Sequence, residues 1–129
     1  MFEKHHNVIY VCHPFGGKIS NFTKQANLIN RLSKQIHKTL VSPICAFSYR
    51  KYSDKGVERK RDMKDCKNLL SRCDAVLMTG DWIKSKGCLE EVEFAMFINK
   101  KIYEYTLNHH FRKCDYSELI TRINKFLHK

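Results

Sequence analysis

Hydrophobic and polar positions divide the chain into alternating strand-like and helix-like segments. "NVIYVCHPF" (7–15) is a β-branched and aromatic run that ends at Pro14 and meets Gly16 and Gly17, which predicts a buried strand entering a tight turn. From Asn21 onward Phe22, Ala26, Ile29, Leu32 and Ile36 recur every three or four positions, which predicts an amphipathic helix with Ser20 or Asn21 as its N-cap. "TLVSPICAFSY" reads as a second strand region broken by Pro43. "KGVERKRDMKDCKNLLSRC" reads as a helix with Met63, Cys66, Leu69, Leu70 and Cys73 turned inward. A short apolar strand "DAVLMTG", a third helix "SKGCLEEVEFAM", a fourth strand "KKIYEYTL" and a closing helix "YSELITRINKFLH" complete the series. Strands alternating with helices predict one α/β domain over 1–129, a Rossmann-like (flavodoxin-like) parallel sheet with helices on both faces. Ligands of such sheets bind beyond the carboxyl ends of the strands. Here those ends are the loops "HPFGGKISN" and "TGDWIKSKG".

The third helix carries three glutamates that do not share a face. At about 100° per residue, Ile98, Ala95, Cys88, Val92, Met96 and Leu89 form one apolar arc. Glu91 falls inside that arc, whereas Glu90 and Glu93 fall opposite it with Phe97 between them. Phe94 and Phe97 are expected on the outer side, compatible with an interface. A carboxylate on an apolar face is costly unless it is paired or placed at a wet cleft. Periodicity leaves two readings open: a salt bridge to a lysine at the core's edge, or an acid kept for chemistry. At the start of the same helix, Ser85, Lys86 and Gly87 offer a hydroxyl, a charge and backbone N–H groups suited to an anion.

Charge narrows the partners. The 129 residues hold 24 Lys and Arg against 13 Asp and Glu, a net charge of +11 that favours anionic partners. The basic residues are spread out except in "YRKYSDKGVERKRDMK", and no nucleic-acid-binding motif accompanies them. A small phosphorylated ligand is therefore preferred to nucleic acid. The six cysteines contain no C-x-x-C pair, so reduced core thiols are expected rather than a zinc site. The pairs His5-His6 and His109-His110 could join a metal site, but polar surface is the favoured reading, because adjacent side chains diverge on a helix or strand. No metal or cofactor is expected. Without a long apolar run or a convincing secretion signal, a cytoplasmic protein with no membrane span is expected.

The order of these segments resembles that of the nucleoside 2-deoxyribosyltransferase-like proteins, which include nucleotide N-glycosidases. The likeness runs from about residue 7 to residue 106 and rests on the first strand with its glycine loop, "CDAVLMTGDW", and "SKGCLEEVEFA". The last is the most specific, since members place a glutamate four residues before an alanine on this helix. Carried over, that glutamate is Glu91, ahead of Ala95. The resemblance implies that Glu91 is a nucleophile that attacks the anomeric carbon of a nucleoside or nucleotide, expels the base and is released by water or a second base. It further implies that Ser85 and Gly87 hold a 5′-phosphate, although a later glycine of the motif is Leu89 here. His13, Gly16, Gly17 and Asn21 of the first loop would line the sugar-phosphate end. Trp82 would stack on a base or serve only as a structural residue. An aspartate expected two turns before Asp74 is replaced by Cys66. Asp65 lies one residue off, and Asp62 shares the helical face of Cys66. That departure makes a non-catalytic nucleotide-binding module the first alternative to an enzyme, with a basic nucleic-acid-binding protein the second. Members of the family assemble as dimers or larger homo-oligomers.

Overall fold

β1 (Val8–Cys12) and β3 (Ala75–Met78) are apolar at almost every position and lie between layers on both sides, as central parallel strands must. The computed structural model describes residues 2–16, 18–48, 56–106, 108 and 110–129. After β1 come α1 (Ile19–Gln35), β2 (Thr39–Val41), a single-turn α2 (Pro43–Ala46) and α3 (Gly56–Ser71). β3 leads through a 3₁₀ turn (Trp82–Lys84) to α4 (Lys86–Phe97), then β4 (Lys101–Tyr105), β5 (Phe111–Lys113) and α5 (Tyr116–Leu127). The sheet order is β2-β1-β3-β4-β5, parallel through the first four strands, with β5 antiparallel to β4. The chain has the α/β Rossmann-like fold that its alternating pattern predicts.

Two cores follow from the period of two along the strands. Tyr10, Cys12, Val76, Met78 and Ile102 face α3, α4 and α5. Ile9, Ala75, Leu77 and Tyr103 face Leu28, Leu32 and Ile36 at and just beyond α1. Asp74 locks the entry to the sheet, its Oδ2 accepting the backbone N–H groups of Asn7 (2.8 Å) and Val8 (2.9 Å). No helix among the described residues is long and apolar enough to cross a membrane.

The elements depart from the sequence reading at four places. α1 begins at Ile19 with Lys18 at its N-cap, not Ser20 or Asn21, and no side chain caps it. Its buried stripe is Gln25, Leu28 and Leu32, whereas Phe22, Ala26 and Ile29 are only partly buried. Gln25 escapes a hydropathy pattern because its amide is satisfied inside: Nε2 donates to the Val11 carbonyl (3.4 Å) and Oε1 accepts from Ser42 Oγ (2.6 Å). The second strand stops at Val41. Ser42 accepts from the Cys45 N–H (3.1 Å) and Pro43 sits at the first helical position, so the segment turns into α2 and leaves Cys45 exposed. Cys12, Cys73, Cys88 and Cys114 are buried thiols, and Cys66 is half-buried. Finally, β5 is three residues long and mostly polar; as a short, charged edge strand it carries no apolar alternation to be read.

Candidate functional site

The helix after β1 packs on one face of the sheet and the helix after β3 packs on the other, which makes the ends of these two adjacent strands the topological switch point, where the crevice of such sheets lies. Thr79 closes its floor: its N–H and its hydroxyl both donate to the Cys12 carbonyl, at 2.9 and 2.8 Å. Gly80 follows at φ +63°, and a Cβ there would stand 3.0 Å from His13 Nε2. Only glycine suits both the left-handed backbone and this approach. His13 is half-buried. Its Nδ1 donates to the Pro14 carbonyl (2.8 Å), leaving Nε2 as the acceptor of a neutral ring, and burial lowers its pKa. Asn21 Nδ2 donates to the Phe15 carbonyl (2.9 Å), tying the loop to α1, while Gly16 sits at φ +59° in open space. Gly17 lies outside the described residues.

Glu91 occupies the inner face of α4, as the helical period predicts, and is 7% exposed. The Tyr10 hydroxyl donates to its Oε2, and Cys12 is within bonding reach. Burial pushes the Glu91 carboxyl up to about 7, against the bond from Tyr10, the positive charge of Arg59 and the bond from Cys12. Burial, and then the charge of Glu91, raise the Tyr10 pKa and keep the phenol a donor. The salt bridge to a lysine is not formed among the described residues; Arg59 is engaged instead by Glu90, Nη2 to Oε1 at 3.3 Å. Near neutral pH such a carboxyl exchanges between acid and anion, which suits a nucleophile or an acid–base group.

Cys66 reaches the same cluster from α3, in contact with Tyr10 and under the field of Glu91. Burial pushes its thiol up to about 12, so it stays protonated and is a poor stand-in for an aspartate. Asp62 and Asp65 are half-buried on the same helix, where their charges act on Cys66. The groups bearing on Glu91 are Tyr10, Arg59, Cys12 and Glu90.

Ser85 is the N-cap of α4, its Oγ accepting from the Cys88 N–H at 3.3 Å. The helix itself supplies no acceptor for the N–H groups of Lys86 and Gly87. A Cβ on Gly87 would meet Arg59 Nη2 and Met63 Cε at 3.9 Å, so that turn of α4 borders α3. Between the two helices runs a groove of about 500 Å³, with Arg59, Lys60, Lys64, Lys67 and Lys86 on its walls and, among the described residues, Glu90 as its one acid. Phe94 lines it under the Lys67 ammonium (5.7 Å to the ring centroid), not on a free outer surface. Phe97, by contrast, is 83% exposed.

Trp82 does not present a face for stacking. It is buried in the 3₁₀ turn, its indole N–H donates to Glu104 Oε2 (2.8 Å), and the Arg122 guanidinium stands 5.4 Å from its ring centre. Glu104, absent from the sequence reading, also receives both guanidinium nitrogens of Arg122 at 2.9 Å and Arg112 Nη2 at 3.1 Å. Burial would raise its pKa, but bonds from Arg122, Trp82 and Arg112 hold it down to about 2. Tyr10 was equally hidden, since an aromatic residue in an apolar run reads as core. A polar tip on a strand facing an inward acid is the one signal that points to it.

A family model described as "Domain of unknown function (DUF7768)" matches residues 7–105, from the entry of β1 to the end of β4. The chain belongs to that family. The match spans Tyr10, Cys66, Glu91 and the loops of the crevice. No curated protein matches the chain.

Proposed function

We propose that this DUF7768 domain cleaves the base–sugar bond of a nucleoside or nucleoside monophosphate, as an N-glycosidase or a deoxyribosyltransferase, with Glu91 as nucleophile. The observation that carries the reading is a buried carboxylate held by one phenol, with its pKa pushed to about 7. In the reaction a Glu91 oxygen bonds to the anomeric carbon while the C–N bond breaks and its electron pair leaves with the base. Water or a second base then attacks the glycosyl ester and frees Glu91. Tyr10 orients the attacking oxygen and stabilises the anion. The leaving nitrogen takes its proton from solvent, with Asp62 and Asp65, half-buried on α3, as the groups that would relay it.

The anionic end of a monophosphate would be met by the Ser85-Lys86-Gly87 helix start and the cations of the adjoining groove. His13, Gly16 and Asn21 support the sugar end from the first loop. A cytoplasmic setting suits six free cysteines. Homo-oligomerisation would cover the exposed Phe97.

Chromatographic detection of free base from a panel of deoxynucleosides and their 5′-monophosphates tests the proposal. Glu91→Gln should reduce release by more than about 10³-fold while the variant stays folded. Undiminished release would remove Glu91 from the chemistry. The thiol at position 66 specifically favours a second reading, a module that binds a nucleotide without turning it over. A ligand that raises the melting temperature yet is recovered intact by mass spectrometry would select that reading. Affinity for DNA or RNA that falls steeply with salt would instead favour the nucleic-acid alternative.

A further inference from the structure

A second cluster lies at the opposite, amino-terminal edge of the sheet. The chain entering β1 does not run as a strand or helix at residues 3–6: the His6 N–H donates to the Glu3 carbonyl (2.9 Å), closing a turn. Within that turn adjacent histidines converge instead of diverging. His5 Nε2 stands 3.3 Å and His6 Nε2 3.4 Å from the same oxygen, Glu3 Oε2. The two rings stack edgewise, with centroids 4.4 Å apart. His6 is buried, which corrects the expectation of a polar surface pair.

We propose that Glu3, His5 and His6 bind a divalent cation of the zinc class through Glu3 Oε2 and the two Nε2 atoms, with the fourth position open to water. The two contacts to Oε2 have room for a shared cation. Charge-assisted N–H···O bonds run at about 2.7–2.9 Å, shorter than either contact. A tetrahedral zinc site with bonds of about 2.05 Å has ligand atoms about 3.3 Å apart, which matches both. All three ligand atoms lie within 4.8 Å of one another. Two imidazoles and a carboxylate are also a donor set suited to zinc.

The surroundings prepare the site in two ways. Lys38 Nζ donates to the Glu3 and Lys4 carbonyls (3.3 Å each), holding the turn against the rest of the fold. Lys113 Nζ takes the other carboxylate oxygen, Oε1, at 3.6 Å, which leaves Oε2 to the histidines. Among the described residues, the two buried side-chain polar atoms without a hydrogen-bond partner are His6 Nδ1 and the Tyr103 hydroxyl, and their rings are 6.4 Å apart. With Nε2 on the cation, the Nδ1 of His6 carries the ring proton and would donate it to a water of the site. Lys113 opposes a cation electrostatically, so its removal should tighten binding whereas loss of a ligand should weaken it.

Titration of the intact chain with Co²⁺, followed by displacement with Zn²⁺, tests the site without reference to any activity. The expected result is one saturable equivalent whose visible spectrum lacks thiolate-to-cobalt charge-transfer bands, together with a raised melting temperature in Zn²⁺. His5→Ala, at a side chain 75% exposed and so without consequence for folding, should weaken binding by more than about 10-fold. Lys113→Ala should strengthen it severalfold. Absence of binding, affinity unchanged in His5→Ala and Glu3→Gln, or a thiolate spectrum pointing to the cysteines would each overturn the proposal.

Discussion

Glu91 and Glu104 are both glutamates with little exposed surface, one on a helix facing the sheet and the other on the sheet facing that layer of helices. Their carboxyls are nevertheless driven to opposite ends of the scale, one to about 7 and the other to about 2. Burial pushes both upward, more strongly for Glu91, which lies deeper, and the partners each acid meets widen the gap. Glu104 meets two guanidinium groups and an indole N–H, four hydrogen bonds in all, and stays an anion at any ordinary pH. Glu91 meets a phenol and a thiol, neither of them charged, and remains poised between forms. The difference separates an acid tied into the fold from one left able to exchange its proton. Glu104 ties β4, β5 and α5 to the turn before α4, whereas Glu91 looks across to β1 beneath the crevice.

Removing each carboxylate in turn should separate the two acids. Beyond the loss of base release expected for Glu91→Gln, the largest effect is on folding. Glu104→Gln should cost about 3 kcal/mol in denaturant unfolding, because it strips the partner from Arg122 and from part of Arg112. It should leave Glu91 chemistry intact in whatever fraction stays folded. A cost below 1 kcal/mol would mean that the arginines find other acceptors.

Stability against pH should show opposite signs for the two acids. Glu104, with its pKa depressed in the fold, contributes stability that is present above the ordinary glutamate value of 4.5 and is lost as pH falls toward 2. Glu91, with its pKa raised, is accommodated best when protonated. Its burial costs progressively more as pH climbs from 4.5 to 7, and the cost is constant above that. Glu91→Gln should therefore gain stability over the native chain across that window, by no more than an order of 3 kcal/mol. A difference that is flat with pH would show that Glu91 is not held protonated by the fold.

Tyr10→Phe should have the smallest effect, a decrease of about 10-fold in turnover with the alkaline-rising limb of the pH profile moved upward, since the phenol's bond favours the anion. An unchanged limb would assign Tyr10 to packing alone.

The same contrast explains what was legible in the sequence. Glu91 could be found because a helix has a period, and a charge inside an apolar arc breaks it visibly. Cys66 was singled out only through the resemblance and its spacing from Asp74, and the structure does bring that thiol to Tyr10 and Glu91. Glu104 could not be found, because its partners Arg112 and Arg122 come from β5 and α5, and a three-residue polar edge strand leaves no pattern. Gln25 broke the reading of α1 for a related reason: a buried amide satisfied by Val11 and Ser42 looks polar in sequence and behaves as core. Trp82 stayed open between stacking and a structural role, because composition does not reveal that its N–H is already bonded. His5 and His6 converge through a turn, and rules for helices and strands do not apply there.

The difference between the two acids is measured most directly by NMR titration of the side-chain carboxyl carbons, with Glu91→Gln and Glu104→Gln as assignments. The expected result is one glutamate titrating near 7 that vanishes in Glu91→Gln, and one near 2 that vanishes in Glu104→Gln. A Glu91 carboxyl titrating at or below 4.5 would contradict the view that the fold holds this acid poised for chemistry.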